Sequence, residues 1–284
     1  MKLLTLNTHS MLEENYEEKL GFFLEFILRE GVDIIALQEV NQSADARIAL
    51  DSCGMVPLEG TDVPLREDNH ALRIARMLRA AGSEASWAYL PVKRGYGRYD
   101  EGMAVMCLRG GISATDRCTI SGIKDYQNWR TRAVLGVRPA GCPEWFYSVH
   151  MGWWQDEQEP FAGQWKALER HLAGKKRAGR VWLMGDFNAP AELRGQGYDL
   201  IAGSGWRDGW LLAGNRDAGC TVRGAIDGWR GLLDGVDEAQ GMRIDHIWVS
   251  QAVDTARCSV VFDGRHGRVV SDHFGVMLET KGGG

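Results

Sequence analysis

The chain predicts an α/β protein, and three observations carry that prediction. Short apolar runs of about five residues recur along the sequence and end on polar side chains. Longer stretches with apolar residues at helical spacing lie between several of them. With 284 residues, 44% hydrophobic and 25% charged, the chain also has the make-up of an ordinary globular protein with enough length to bury a large core. No repeat, low-complexity segment or linker divides it, so residues 1–284 read as one domain, with 281–284 as an untethered tail.

Residues 2–6 read as a first strand, with Asn7 and His9 just beyond it. From 13 to 30, Tyr16, Leu20, Phe23, Leu24, Ile27 and Leu28 recur at helical spacing. Acidic residues crowd the N-terminal end, where the helix dipole favours them, and Gly31 is a stop. Residues 32–37 form a buried strand that delivers Gln38 and Glu39. A carboxylate directly behind apolar strand positions needs a cation, a metal or several donors, which makes Glu39 a candidate functional residue. A second helix spans 69–81, with Leu72, Ala75 and Leu78 inward and Arg73, Arg76 and Arg79 on a solvated face.

Residues 91–102 read as a polar loop dense in phosphate-compatible side chains, with Lys93, Arg94 and Arg98 beside Tyr96 and Tyr99, and Glu101 at its end. A strand at 103–108 follows. Arg130 and Arg132 run into a strand at 133–137, and the strand at 145–149 ends at His150. The short connection between these two strands makes them antiparallel neighbours. Trp153 and Trp154 stand in the next loop, before a helix at 160–172 that carries Phe161, Trp165, Leu168 and Leu172 on one stripe.

The run Val181-Trp182-Leu183-Met184 is a buried strand that ends at Gly185 and delivers Asp186 and Asn188 into a loop. Taken alone the stretch is equally an ordinary turn, because Gly, Asp, Asn and Pro are turn formers. Residues 191–241 are rich in Gly, Asp and Trp and too weakly periodic to assign. The chain closes with a strand at 243–249 carrying Asp245, another at 259–262, and a third at 270–276 with Asp272 and His273 at its start.

Several classes of function are disfavoured by composition. The formal net charge of -5 provides no overall basic field for nucleic acid. No window approaches the ~20 apolar residues of a membrane span, and the N-terminal apolar run is broken by Asn7 and His9, so no signal peptide is visible. Six scattered cysteines without a C-x-x-C pair argue against a zinc site and read as free thiols, which with the absent signal peptide points to the cytoplasm. Oligomeric state is not legible. The remaining signal is a set of polar residues at strand ends: Asn7, Glu39, Glu101, His150, Asp186, Asn188, Asp245, Asp272 and His273. It is rich in oxygen donors and free of thiolates, which suits a hard divalent cation such as Mg²⁺ or Mn²⁺. Phosphate ester hydrolysis needs what these residues offer: a base for water and donors where charge develops on the phosphoryl oxygens.

Leu6-Asn7, Leu37-Gln38-Glu39, Val149-His150, Gly185-Asp186-Phe187-Asn188, Ile244-Asp245-His246-Ile247 and Ser271-Asp272-His273 together resemble, in order and across nearly the whole chain, the endonuclease/exonuclease/phosphatase (deoxyribonuclease-I-like) superfamily. The resemblance implies a four-layered α/β/β/α sandwich of two mixed β-sheets with outer helices, and metal-dependent phosphoester hydrolysis. It implies Glu39 as principal metal ligand, with Asn7 and Asp272 near the metal or its waters. Asp186 would accept the proton of the attacking water, and Asn188 would orient that water or a phosphate oxygen. His273, oriented by Asp245, and His150, paired with Glu101, would donate to phosphoryl oxygens, each imidazole made more basic by its carboxylate. One departure stands out: nucleases of the superfamily carry an acidic residue where this chain has His9, which puts a second metal position in doubt.

The segments 1–10, 13–15, 99–102, 128–129 and 150–154 are similar to a bacterial phosphatase branch, the maltose 6'-phosphate phosphatases. That similarity implies a small phosphorylated sugar as substrate. Arg98, Arg130 and Arg132 are then candidate phosphate clamps, since a guanidinium fork matches two phosphate oxygens. Of the tryptophans in or beside loops (129, 153, 154, 206, 210 and 229), Trp153 and Trp154 are candidates for the sugar face or, equally, for the core. The alternatives are a Mg²⁺-dependent nuclease and a non-catalytic scaffold on the same fold.

Overall fold

A computed structural model describes residues 1–223 and 241–281. The strands, in chain order, are β1 (Lys2–Asn7), β2 (Ile34–Ser43), β3 (Ser86–Gly95), β4 (Tyr99–Cys107), β5 (Ile112–Thr119), β6 (Ala133–Pro139), β7 (Trp145–His150), β8 (Val181–Asp186), β9 (Arg207–Asp208), β10 (Ala213–Arg216), β11 (Asp245–Val249), β12 (Thr255–Val261) and β13 (Gly275–Thr280). The helices are α1 (Tyr16–Glu30), α2 (His70–Ala80), α3 (Phe161–Ala178), α4 (Gly197–Gly203) and α5 (Gly209–Leu212). Among the described residues they build two mixed sheets, one in the order β10-β12-β13-β1-β2-β4-β3 and the other β5-β6-β7-β8-β11-β9.

The inner faces of the two sheets share one apolar layer. Leu3, Ile34, Ala36, Leu90 and Val105 of the first sheet pack there with Leu135, Val137, Phe146, Trp182, Met184 and Ile247 of the second. The outer face of the first sheet is covered by Leu20, Phe23 and Ile27 of α1 and Leu72, Ala75 and Leu78 of α2. The outer face of the second is covered by Phe161, Trp165, Leu168 and Leu172 of α3. This is the α/β/β/α sandwich. Strands covered on both faces explain why their sequences are continuous apolar runs rather than alternating ones. A buried polar tie also crosses the layer: Gln38 Nε2 donates to Ser148 Oγ at 2.8 Å, and Ser148 Oγ donates to Leu37 O at 2.8 Å.

Most elements fall where periodicity places them, and the exceptions have physical reasons. The stretch 91–102 is a β-hairpin, not a loop: Lys93 pairs with Glu101 and Gly95 with Tyr99 across a short turn in which Gly97 takes φ 68°. The strand through Leu37 does not end there but continues to Ser43, with an irregular register between Leu37 and Val40. Strand β5 escaped recognition because it is a sheet edge whose polar side chains face water, leaving no apolar run. Asp272 and His273 lie in the loop before β13, which begins only at Gly275. Trp206, grouped with the loop tryptophans, is buried in the core under α3, while Trp229 and residues 282–284 lie outside the described residues.

Candidate active site

Strand register assembles the site. β7 and β8 are parallel with His150 opposite Asp186, and β8 and β11 are antiparallel with Asp186 opposite Asp245. Three chemically active side chains therefore leave one sheet edge side by side. The first sheet brings Asn7 from the end of β1, Glu39 from the irregularity in β2 and Glu101 from β4. Glu39 has φ 52° and Asn188 φ 47°, left-handed conformations that cost a non-glycine residue energy and occur here on both walls of one pocket. Gly185 makes the close approach possible, since a Cβ on it would stand 1.9 Å from Val149 O.

The pocket has a volume of about 350 Å³ and its wall includes Glu39, Lys93, Trp129, Arg132, His150, Trp153, Asp186, Asn188, Asp272 and His273. Asp186 is its centre. Its Oδ1 accepts from the Asn188 backbone N–H at 2.8 Å and its Oδ2 from Asn7 Nδ2 at 3.2 Å. Asp186 Oδ2 also lies 3.7 Å from His150 Nε2 and 3.9 Å from His273 Nε2. Asn7 Nδ2 reaches Glu39 Oε1 at 2.9 Å, so a single amide ties the carboxylates contributed by the two sheets. Behind His273, Asp245 Oδ2 stands 3.0 Å from Nδ1. The Asn188 side chain is held by its own surroundings, donating to Met151 O at 2.9 Å and accepting from Trp153 Nε1 at 3.2 Å.

The two imidazoles differ in charge. Burial works against protonation of His273, but Asp245, Asp186 and Asp272 outweigh it and raise its pKa to about 10. His150 is pushed well below the ordinary histidine value by burial and by the positive charges of Arg132, Lys93 and His273. This corrects the expected pairing of His150 with Glu101. Glu101 Oε1 is engaged instead with Lys93 Nζ at 3.0 Å, its cross-strand partner, and the carboxylate facing His150 is Asp186.

The acidic side chains carry an electrostatic cost. Burial, then the negative charge of Glu101, raises the pKa of Glu39, and burial together with Asp245 raises that of Asp186 to about 7. Carboxylates held this way fit a hard cation, which would offset their repulsion and take oxygen ligands from Glu39, Asp272 and Asn7. Asp186, Asp245 and His273 form one group whose ligand atoms lie within 4.8 Å of each other, and His9, Glu13 and Asp272 form another. At the position of the missing acid, His9 Nδ1 lies 2.8 Å from Glu13 Oε1 and 4.0 Å from Asp272 Oδ1. Burial opposes its protonation, but Glu13 and Asp272 raise its pKa overall.

Three expected substrate contacts fall outside the pocket. Arg98 is exposed and lies over the Tyr99 ring. Arg130 stacks on Trp129 at 4.2 Å and its Nε donates to Asp156. Trp154 is partly buried and packs against Phe161, the first residue of α3, on the margin of the core. Arg132 and Trp153 do line the pocket. Sequence reading passed over Lys93 and Trp129 as individual pocket residues. The pairing of Lys93 with Glu101 becomes visible once 96–98 is recognised as a hairpin turn, and Trp129, already grouped with the loop tryptophans, is 43% exposed.

A family model described as "Endonuclease/Exonuclease/phosphatase family" matches residues 4–273. No curated protein matches the chain. Among solved structures, the chain is similar to an endonuclease/exonuclease/phosphatase family protein from Leptotrichia buccalis C-1013-b, with 28% identity, a TM-score of 0.84, and 99% of this chain and 100% of that one covered. It is also similar in fold to a mannosyl-6-phosphatase from Bacteroides thetaiotaomicron VPI-5482, with 17% identity, a TM-score of 0.65, and coverage of 99% and 100%. A 3'-5' exonuclease from Neisseria meningitidis has 19% identity, a TM-score of 0.63, and coverage of 99% and 100%.

Proposed function

The chain belongs to the endonuclease/exonuclease/phosphatase family of phosphoester hydrolases, and from that premise we propose that it is a divalent-metal-dependent phosphomonoesterase acting on a small sugar phosphate such as maltose 6'-phosphate. The observation that carries the reading is the pocket itself. Asp186 and two imidazoles converge at its floor, buried Lys93 and Arg132 stand beside them, and Trp129 and Trp153 approach each other with ring centroids 5.3 Å apart. An open cleft of about 350 Å³ suits one phosphate and part of a sugar ring. The tryptophans supply apolar faces for that ring. The net charge of -5 supports a small substrate over a polyanion.

Glu39, with Asn7 and Asp272 beside it, would hold Mg²⁺ or Mn²⁺, which when bound supplies positive charge for a phosphoryl oxygen and a more acidic water. Asp186 takes the proton of the attacking water through Oδ2, which is fixed by Asn7 and faces both imidazoles. His273, kept protonated by Asp245, donates from Nε2 to an oxygen on which charge develops. His150 is neutral and donates a single N–H. Asn188 is a positioning residue: its backbone N–H holds Asp186 and its side chain holds Trp153.

The test is hydrolysis of maltose 6'-phosphate, mannose 6-phosphate and p-nitrophenyl phosphate, compared with supercoiled and abasic DNA, each in Mg²⁺ and in EDTA. We expect EDTA-sensitive phosphomonoesterase activity that falls by about 1000-fold or more in Asp186→Asn. Cleavage of DNA without phosphomonoesterase activity would make the protein a nuclease, and full activity of Asp186→Asn would overturn the assigned base.

A further inference from the structure

Of the three lysines and arginines that line the pocket among the described residues, two already have carboxylate partners. Lys93 is held by Glu101 at 3.0 Å and Arg94 by Asp100 at 3.3 Å. Arg132 has none among the described residues, although it is only 6% exposed. Its Nη1 donates to the carbonyl oxygens of Trp129 and Thr131, at 2.9 and 3.4 Å, and its buried Nε has no hydrogen-bond partner among the described residues. A buried guanidinium with no carboxylate partner among the described residues is costly, and an anion in the pocket that Arg132 lines would offset that cost. Lys93 is equally enclosed, at 6% exposed, and shares a second small recess with Arg132, Glu101 and His150. Burial lowers the pKa of both Lys93 and His150, and the positive charge of nearby Arg132 lowers each further.

Neither cation is needed to activate water, for which Asp186 and the proposed metal suffice. What they add is positive charge where the non-bridging oxygens of a substrate phosphate would lie. A phosphomonoester is a dianion near neutral pH with three non-bridging oxygens, whereas a phosphodiester is a monoanion with two. We propose that Arg132 and Lys93 form a dianion subsite that makes this pocket select a terminal phosphomonoester over a phosphodiester. Arg132 supplies a fixed positive charge through the part of its guanidinium not bound to the backbone carbonyls, and Lys93, fixed in place by Glu101, supplies the second charge. Glu101 is thus a positioning residue for Lys93 rather than an orienter of His150. This inference rests on the phosphomonoesterase reading above and assigns the group responsible for it.

The experiment compares kcat/KM for p-nitrophenyl phosphate and bis-p-nitrophenyl phosphate in wild type, Arg132→Met, Arg132→Lys and Lys93→Met, all in Mg²⁺. Inorganic phosphate serves as a competitive inhibitor, and circular dichroism checks the fold. For Arg132→Met we expect the monoester rate to fall about 10- to 100-fold more than the diester rate, and the inhibition constant of phosphate to rise by a similar factor. Arg132→Lys should recover part of both, which a merely structural role would not predict. Equal losses on the two esters, or unchanged phosphate inhibition, would overturn the dianion subsite while leaving the phosphatase reading intact. A wild type without monoesterase activity would overturn both. Should the variants fail to fold, wild-type binding of methyl phosphate and dimethyl phosphate in EDTA, which removes the divalent cation's own preference for a dianion, decides. Binding of the dianion at least about tenfold tighter supports the proposal, and equal binding sinks it.

Discussion

Asp245 is fully buried and yet governs the charge of a residue that faces the pocket. With Asp245 Oδ2 at 3.0 Å, His273 keeps its proton to about pH 10. The sign of the effect on activity follows. If protonated His273 is the donor, activity is retained as pH rises past neutrality and is lost only as the raised pKa is approached. Asp245→Asn removes the charge that opposes desolvation, so the basic limb of the kcat profile should move down by about one pH unit or more. The rate at pH 7 should fall by about 100-fold. An unmoved basic limb would show that another group is the donor. His150 illustrates what cannot be read one residue at a time. The expectation of a carboxylate partner failed because Glu101 faces Lys93 across the hairpin, leaving His150 among positive charges.

At the scale of elements, Gly185 connects the strand pattern to the site. It sits one residue before Asp186 in β8 and faces Val149 O of β7, where a methyl group would overlap the carbonyl at 1.9 Å. Relief requires β7 and β8 to separate, which would pull His150 away from Asp186. Gly185→Ala should therefore lower unfolding stability in urea by about 2–4 kcal/mol and reduce activity even where the protein remains folded. A variant with wild-type stability would show that the sheet yields cheaply. The helices and central strands were legible because burial on a helix face or between two sheets imposes a period or a run on the residues. Strand β5 and the 91–102 hairpin were not, since edge positions and a pocket wall admit polar residues at will.

At the scale of the whole molecule, the pocket gathers Glu39, Asp186, Asp272 and Asn7 from both sheets and a distant loop. An acidic site of this kind lowers folded-state stability until a cation enters it. Mg²⁺ at about a hundredfold excess over its Kd should raise Tm by about 5 °C, and EDTA should reverse the rise. Glu39→Gln should abolish most of the shift. Absence of any shift in wild type, together with EDTA-resistant activity, would argue against a resident divalent cation. No helix among the described residues is long and apolar enough to cross a membrane.

The amino-acid sequence by itself determined the family, the sandwich and the identity of the strand-end residues. Each of these is written locally, as an apolar run closed by a short polar motif such as Gly185-Asp186-Phe187-Asn188. Only the tertiary structure decided which candidates share a pocket. It separated Arg132 and Trp153, on the pocket wall, from Arg98, Arg130 and Trp154. It also gave the two histidines opposite charge tendencies. The physical reason is that residue type specifies what a side chain can bind, whereas its partner and its pKa depend on neighbours that strand register brings from far away in the chain.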